Sequence, residues 1–162
     1  MNLFLFYDAS ALIKRYSIEI GTPAVNDLFA NFSAKQRGCS VIGILEVLSI
    51  LTRKRNDGRI NNNLYQAAVY HLNQDFIQNP EVMITSIIDD DITQSLKIIP
   101  NYNINSSDAL ILATALRLKL TMAIINTKLV LCTSDKRLIR AGLQEQVVVF
   151  DPEVDSVQQF IN

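Results

Sequence analysis

Short apolar runs alternate along the chain with longer segments in which apolar residues recur at helical spacing. This alternation is typical of an α/β fold, in which helices cover both faces of a mostly parallel sheet. We therefore predict an α/β sandwich formed by a single domain over residues 1–162. The predicted strands are short, apolar and followed by polar residues, and they cover residues 3–7, 82–87, 129–133 and 147–150, with a further short strand just before Ser40.

Apolar residues at helical spacing predict seven helices, at residues 9–17, 23–32, 41–54, 61–77, 92–99, 107–119 and 136–141. Three of these helices have recognisable N-caps, because Ser40, Asp91 and the run Ser106-Ser107-Asp108 each stand before an apolar helix. The turn Asn56-Asp57-Gly58 is predicted to end the third helix.

Composition narrows the class of protein without identifying a function. The 15 Lys and Arg residues against 16 Asp and Glu give a net charge of −1, so contact with nucleic acid would depend on local patches of positive charge. Cys39 and Cys132 form no C-x-x-C motif, which indicates reduced thiols in a cytosolic protein. The run at 3–7 is too short for a signal peptide and the apolar stretch at 109–116 is too short to cross a bilayer, so we expect a soluble cytoplasmic protein.

Two acidic residues stand directly after predicted strands. Asp8 follows the strand at 3–7, and Asp135 follows the strand at 129–133. Because ligand sites in open α/β sheets form beyond the carboxyl ends of the strands, these two carboxylates are candidates for one site. The alternative is that each residue only caps the helix that follows it.

Two further acidic residues lie on apolar helices. Glu46 is the only charged residue within the apolar segment 41–51, and a carboxylate there should be paired, bound to a metal or placed on a solvent stripe shared with Ser49 and Arg53. Asp108 occupies the first turn of an apolar helix, where helix initiation alone could explain it. If all four carboxylates converge, a divalent cation is needed to neutralise them.

Four segments of the chain together resemble the PIN domain, and especially the VapC-like toxin ribonucleases of type II toxin–antitoxin systems. The resemblance covers most of the chain and is carried by YDASAL at 7–12, ILEVL at 44–48, SDALILATA at 107–115 and TSDKRL at 133–138. It implies a PIN-like three-layer sandwich with a mostly parallel central sheet flanked by helices.

The resemblance also implies an activity and a site. The family's metal-binding acids correspond to Asp8, Glu46, Asp108 and Asp135, which would be both metal ligands and catalytic residues, and its site hydroxyl corresponds to Ser10 and to Thr133 or Ser134. The implied activity is hydrolysis of RNA phosphodiester bonds by a metal-dependent endoribonuclease that leaves a 5′-phosphate and a 3′-hydroxyl. A cognate antitoxin and a homodimer are the implied partners.

One stretch departs from the family pattern. Residues 119–131 look longer than the usual link between the Asp108 helix and the strand that leads to Asp135. Within this stretch, residues 122–125 could form a short strand joined through Asn126-Thr127 to the next one, or Asn126-Thr127 could lie in a loop. This departure could alter either the dimer surface or the substrate groove.

An oxygen-only site without histidine suits Mg²⁺ or Mn²⁺ better than zinc, and His71 is assigned a surface or packing role. Asp8 and Asp108 would be the main ligands, while Glu46 and Asp135 share the remaining roles. Candidate phosphate contacts are cations near the site motifs, namely Lys14, Arg15, Arg53, Lys54, Arg55, Lys136, Arg137 and Arg140. The run 53–55 has a second explanation, because it ends a helix, where the dipole favours cations without any ligand. Asp89-Asp90-Asp91 is interpreted as a solvated turn with Asp91 as N-cap.

Two other functions compete with this assignment. A haloacid-dehalogenase-type phosphatase also places an Asp after its first strand, but it needs a second acid two residues later, where this chain has Ser10. A PIN-like domain that has lost catalysis and only binds RNA or protein is the alternative from another class, and the presence of all four acids argues against it.

Overall fold

The computed structural model describes residues 2–161 and contains one five-stranded sheet. The strands are β1 Asn2–Tyr7, β2 Arg37–Ser40, β3 Met83–Thr85, β4 Thr127–Cys132 and β5 Val148–Phe150. All of the paired strands are parallel, in the order β3-β2-β1-β4-β5. The predicted α/β sandwich with a parallel sheet is therefore confirmed, as is the predicted strand before Ser40.

Helices connect the strands and form the outer layers. They are α1 Ala9–Tyr16, α2 Thr22–Asn31, α3 Val41–Asn56, α4 Asn62–Leu72, α5 Asp89–Tyr102, α6 Ser106–Ile124, α7 Lys136–Gln144 and α8 Gln158–Ile161. A 3₁₀ turn at Ala34–Gln36 precedes β2, and a π-helical turn at Asn73–Ile77 continues α4, so the predicted helix at 61–77 is a helix with a distorted end. No helix in residues 2–161 is both long enough and apolar enough to cross a membrane.

The central strand β1 is apolar from Leu3 to Tyr7 because both of its faces are buried. Leu3, Leu5 and Tyr7 face one core, which they form with residues from α1, α2, α3 and α4. Phe4 and Phe6 face the second core, with residues from α5, α6 and α7. A strand buried on both faces has no solvent side, so its residues do not alternate between apolar and polar.

Two predicted helix boundaries agree with the structure. The Ser40 hydroxyl accepts a hydrogen bond from the Gly43 N–H at 3.0 Å and caps α3 as predicted. The predicted turn after α3 is also present, and Gly58 adopts a left-handed φ of 72° there. Glycine takes up this conformation without the steric cost that a side chain would add.

The start of α5 differs from the prediction. The helix begins at Asp89, so Asp91 is not its N-cap and the three aspartates are not a solvated turn. Asp91 lies within the first helical turn, where its carboxylate accepts a hydrogen bond from the Ile88 N–H at 3.1 Å. Three carboxylates in the first turn are favoured by the positive end of the helix dipole.

The extent of α6 also differs. Its N-cap is Asn105, whose side chain accepts from the Asp108 N–H at 2.8 Å, rather than the run 106–108. The helix continues to Ile124, so there is no strand at 122–125 and the apparently long link at 119–131 is mostly helix. Leu118 and Met122 extend the buried face of α6 into the second core, which stabilises these extra turns.

Candidate active site

The four predicted acids line one cavity at the carboxyl ends of the central strands. Asp8 directly follows β1 and Asp135 follows β4, while Glu46 lies on α3 and Asp108 lies in the first turn of α6. The cavity has a volume of about 320 Å³. We call it the acidic cavity, and its lining residues are Asp8, Ala9, Ser10, Glu46, Ser49, Ile50, Arg53, Asp108 and Asp135.

Asp8 is held by a set of hydroxyl and amide donors. Its Oδ2 accepts hydrogen bonds from the Ser10 N–H at 3.1 Å, the Ser10 hydroxyl at 2.6 Å and the Thr133 hydroxyl at 3.0 Å. Burial raises the pKa of Asp8, and the hydrogen bonds from Ser10 and Thr133 oppose that rise. Asp8 is therefore the N-cap of α1 as well as part of the cavity wall, so the two interpretations of its position are compatible.

The hydroxyls join the end of β4 to the start of α1. The Ser10 hydroxyl accepts from the Ser134 N–H at 2.9 Å and lies 3.1 Å from the Thr133 hydroxyl, which accepts from the Asp135 N–H at 3.1 Å. Ser134 takes part through its backbone, and its own buried hydroxyl has no hydrogen-bond partner among residues 2–161. Of the two alternatives, Thr133 is the residue whose side chain contacts Asp8.

Asp135 caps α7 in the same way that Asp8 caps α1. Its Oδ1 accepts from the Arg137 N–H at 2.8 Å and from the Leu138 N–H at 3.0 Å. Both N-terminal caps turn a carboxylate toward the edge of the sheet where the strands end, because each helix starts there. Capping thus fixes the place of two carboxylates in the cavity.

Glu46 forms another part of the cavity wall, on the α3 face that also carries Ser49 and Arg53. Its side chain is half-buried, so the solvent stripe suggested by the sequence is the rim of the cavity. Burial raises the pKa of Glu46, and nearby Asp8 adds to the rise, whereas Ser107 and Arg53 oppose it.

Asp108 lines the cavity and carries a carboxylate oxygen, Oδ2, that is buried without a hydrogen-bond partner among the described residues. Burial, together with the charges of Asp135, Asp8 and Glu46, raises the pKa of Asp108 to about 7. The other three carboxylates line the same cavity, which agrees with their effect on Asp108.

The donor set fits a hard divalent cation. Every candidate ligand is a carboxylate oxygen, and the unpartnered Oδ2 of Asp108 would gain from an adjacent positive charge. Within residues 2–161 no group of three acidic, His or Cys side chains is arranged to hold one ion. Mg²⁺ keeps several waters and needs only one or two carboxylates, so these residues fit an ion held by few protein ligands.

Two of the predicted cationic contacts lie at the acidic cavity. Arg53 lines it, and the charge of Arg137 lowers the pKa of Asp108, although burial and the neighbouring acids raise it overall. The remaining cations are engaged elsewhere. Lys14 pairs with Glu153, Arg15 with Asp75, Lys54 with Glu19 and Lys136 with Asp151, while Arg55 stacks on Tyr65 and Arg140 donates to the Tyr102 carbonyl.

The sequence analysis did not identify Ala9 and Ile50 as lining residues or Asn105 as a contributor. Ile50 lies one helical turn after Glu46, so helical periodicity could have placed it on the same face. Asn105 stands three residues before Asp108, which is the spacing of an N-cap side chain and the amide it accepts from.

Comparisons with known proteins agree with this fold. The family profile of the PIN domain matches residues 5–143. Among solved structures, FitAcB from Neisseria gonorrhoeae is similar with a TM-score of 0.65 and 16% identity, covering 94% of this chain and 100% of that one. The Mycobacterium tuberculosis VapC20 structure, described as a sarcin-ricin loop cleaving toxin, has a TM-score of 0.60 and 16% identity, covering 85% and 95%.

A toxin–antitoxin complex from Klebsiella pneumoniae is also similar, with a TM-score of 0.55 and 18% identity, and the match covers 91% of this chain and 97% of that one. Comparison with curated protein sequences finds no match. At these identities the solved structures support the fold alone, whereas the family profile covers most of the chain. The chain therefore belongs to the PIN domain family.

Proposed function

We propose that this protein is a Mg²⁺- or Mn²⁺-dependent endoribonuclease, a hydrolase of RNA phosphodiester bonds that acts as the toxin of a toxin–antitoxin pair. The observation that carries the proposal is that Asp8, Glu46, Asp108 and Asp135 line one cavity, yet none of the four forms a salt bridge within residues 2–161. Carboxylates grouped in a cleft without cationic partners are characteristic of functional sites.

The similar structures support the choice of substrate and partner. One is described as a toxin that cleaves the sarcin-ricin loop, and another as a toxin–antitoxin complex. By this similarity we assign RNA as the substrate and an antitoxin protein as the partner. We further propose a single cytoplasmic domain that forms an isologous homodimer, the commonest symmetry for soluble assemblies.

In the proposed mechanism, Asp8 and Asp108 would hold the divalent ion, and Asp135 would support it through water. When bound, the ion supplies Lewis-acid activation of the attacking water and of the scissile phosphate. Ser10 and Thr133 keep the Asp8 carboxylate oriented through the hydrogen bonds described above.

Glu46 is assigned the proton transfer. Its carboxylate lines the same cavity as Asp8 and accepts a proton from the attacking water as the water oxygen bonds to phosphorus. The bond between phosphorus and the 3′-oxygen breaks, and the leaving oxygen takes a proton from solvent water, which leaves a 5′-phosphate and a 3′-hydroxyl. Arg53 and Arg137 bind the phosphate oxygens, because cations at the rim must offset the repulsion between an acidic cavity and RNA.

The test is RNA cleavage by the purified chain with Mg²⁺ or Mn²⁺ and with EDTA, followed by sequencing of the RNA ends. The wild type should cut in metal and not in EDTA, and Asp108→Asn should lose cleavage while its circular dichroism spectrum stays native. Asp90→Asn is the matched control, because Asp90 also lies in the first turn of a helix but is exposed and outside the cavity. It should cut like the wild type.

The same assay decides the alternative of an inactive binding module. Full cleavage by folded Asp108→Asn would reject the site. RNA binding by the wild type without cleavage in either metal would reject the nuclease and favour the binding module. Light scattering at micromolar concentration tests the homodimer separately. If only the monomeric state of this chain is found, both with and without an antitoxin, the homodimer is rejected and the proposed site is unaffected.

A further inference from the structure

Six charged residues of alternating sign, none of which lines the acidic cavity, form a continuous chain of ion pairs. We call it the ion-pair chain, and its members in order of contact are Lys54, Glu19, Lys14, Glu153, Lys136 and Asp151. Its three lysines lie on three different helices, and its acids come from the segments that follow α1 and β5.

Glu19 connects α3 to α1. Its carboxylate contacts the Lys54 ammonium and lies 3.6 Å from Lys14 Nζ. Lys54 also donates to the Ser17 hydroxyl at 2.8 Å. The side chains of Lys14 and Lys54 are only 4% and 11% exposed, so both ammonium groups depend on these partners rather than on water.

Glu153 connects α1 to α7. One oxygen, Oε1, accepts from Lys14 Nζ at 2.8 Å, and the other, Oε2, lies 3.7 Å from Lys136 Nζ. Lys136 in turn donates to Asp151 at 2.6 Å. Each oxygen of Glu153 therefore contacts a lysine of a different helix.

The segment that carries Glu153 is itself closely held. The Asp151 N–H donates to Asp155 at 2.7 Å, and the Glu153 N–H donates to Asp151 at 3.0 Å. Its backbone packs against Gly21, where an added Cβ would lie 2.7 Å from the Pro152 carbonyl oxygen. Gly21 has a φ of 91°, so a side chain there would be strained as well as crowded. This packing places Glu153 in a defined position.

The three helices that the chain connects carry three of the four acids of the cavity. Asp8 caps α1, Glu46 lies on α3 and Asp135 caps α7. We infer that Glu19 and Glu153 are positioning residues that set the mutual placement of these three carboxylates, an inference that rests on the proposed function. Glu153 also lies beyond residues 5–143, the part of the chain that the PIN profile matches.

Physical reasons favour ion pairs over apolar packing for this task. An apolar contact tolerates small sliding movements, whereas a carboxylate that bridges ammonium groups of two helices loses energy when either helix shifts. Glu19 bridges the two buried lysines, Lys14 and Lys54, and Glu153 bridges the buried Lys14 and Lys136, whose side chain is 64% exposed. Removing one acid leaves a lysine buried and undercompensated, so the helix ends must move to admit water. Such a movement would reach the acidic cavity through the capped ends of α1 and α7.

The test uses the full chain and two readouts, amide hydrogen exchange without metal and calorimetric binding of Mn²⁺ alone. Glu153→Gln keeps the shape of the side chain and removes its charge, and Glu153→Asp keeps the charge on a shorter side chain. Glu81→Gln is the matched charge control, because Glu81 pairs only with Lys35 at an exposed site. Ile98→Val is the stability control, because it trims the second core away from the ion-pair chain.

In Glu153→Gln we expect faster exchange of the Arg137 and Leu138 amides, which donate to Asp135. We also expect Mn²⁺ affinity and the kcat of RNA cleavage to fall about tenfold, the size seen when partners that orient metal ligands are removed. KM should stay within about twofold because the phosphate contacts are untouched. Glu153→Asp should recover part of each loss, and both controls should resemble the wild type.

Unchanged exchange in Glu153→Gln, or a change that Ile98→Val reproduces, would overturn the inference. So would faster exchange with Mn²⁺ affinity and kcat intact, because the charge would then stabilise the fold without positioning the acids. If the wild type binds Mn²⁺ and the variants bind it equally, the positioning role alone is rejected. If the wild type neither binds Mn²⁺ nor cuts RNA, the proposed function fails and the positioning role falls with it.

Discussion

The acidic cavity and the ion-pair chain both contain partly or fully buried carboxylates, but only those of the ion-pair chain have cationic partners. In the ion-pair chain every carboxylate has a lysine within 4 Å. In the cavity, Asp8, Glu46, Asp108 and Asp135 have no salt-bridge partner among residues 2–161, and burial together with the charges of the other three acids raises the pKa of Asp108.

This difference does not come from a shortage of cations. The chain has 15 Lys and Arg for 16 Asp and Glu, and it supplies partners to buried carboxylates elsewhere, including Arg117 for Asp91. Leaving carboxylates unpaired in a cavity lowers stability, so their grouping is better explained by binding than by folding. Paired and unpaired carboxylates should therefore differ in how strongly their substitution changes the free energy of unfolding.

The largest effect should come from breaking a paired carboxylate. Arg117 donates to both oxygens of Asp91 at 2.9 Å, and the Asp91 side chain is 1% exposed. Arg117→Met should lower the free energy of unfolding by about 3 kcal/mol, near the lower end for buried pairs because Arg117 is 29% exposed. A domain of this size then melts roughly 6 to 12 °C lower.

The loss in Arg117→Met should depend on pH. Burial raises the pKa of Asp91, but the hydrogen bonds from Arg117 and the Ile88 amide, together with the charge of Arg117, outweigh burial and hold that pKa below its usual range. The pair therefore stabilises the wild type above the unfolded pKa of about 4, and that contribution is lost as pH falls further. Thermal melts at pH 7 and pH 3 should show the gap narrowing, and a gap that stays constant would contradict this account.

The next effect concerns the unpaired carboxylates and their ion. Mn²⁺ at 100 times its dissociation constant should add about 2.7 kcal/mol to the stability of the wild type. Thermal melts with EDTA and with Mn²⁺ should show a rise of roughly 5 to 10 °C. Asp108→Asn should show a much smaller rise, and Asp90→Asn should respond fully. An equal response in all three proteins would show that Asp108 is not a ligand.

A smaller effect should appear in EDTA. The pKa of Asp108 is raised to about 7, so ionisation of this group destabilises the metal-free fold as pH rises from about 4 to 7. The free energy of unfolding of Asp108→Asn should therefore be about 1 to 2 kcal/mol higher than that of the wild type at pH 8. The variant loses the attraction of the Asp108 charge to the helix dipole, which offsets part of the gain. At pH 4 the two melting temperatures should converge. A variant that is less stable at pH 8 would contradict the like-charge argument.

The smallest effect should come from an exposed pair. Lys35 and Glu81 lie 3.5 Å apart with side chains that are 75% and 52% exposed. Glu81→Gln should change the free energy of unfolding by less than about 0.5 kcal/mol, because solvent screens such a pair. Denaturant melts in low and high salt would measure it. A loss as large as that of Arg117→Met would remove burial as the explanation of the ranking.

Much of the fold was predictable because its signals are local. The apolar runs of β1 and β4, the cap at Ser40 and the turn at Gly58 are all visible within a few neighbouring residues. The starts of α5 and α6 were misplaced because competing polar residues stand side by side there. The residue at which each helix starts is shown only by two hydrogen bonds of the structure, from the Ile88 amide to Asp91 and from the Asp108 amide to Asn105.

The order of the residues alone predicts the pattern of strands and helices and places Asp8 and Asp135 after strands, since periodicity and strand ends are properties of neighbouring residues. It also determined that Glu46 and Asp108 would stand on apolar helices. Which cations stay at the cavity and which pair with other carboxylates depends on how the chain folds, because Lys14 pairs with Glu153, which lies 139 positions away along the chain. Ion pairing depends on distance in space and on burial, and neither quantity is recorded in the order of the residues.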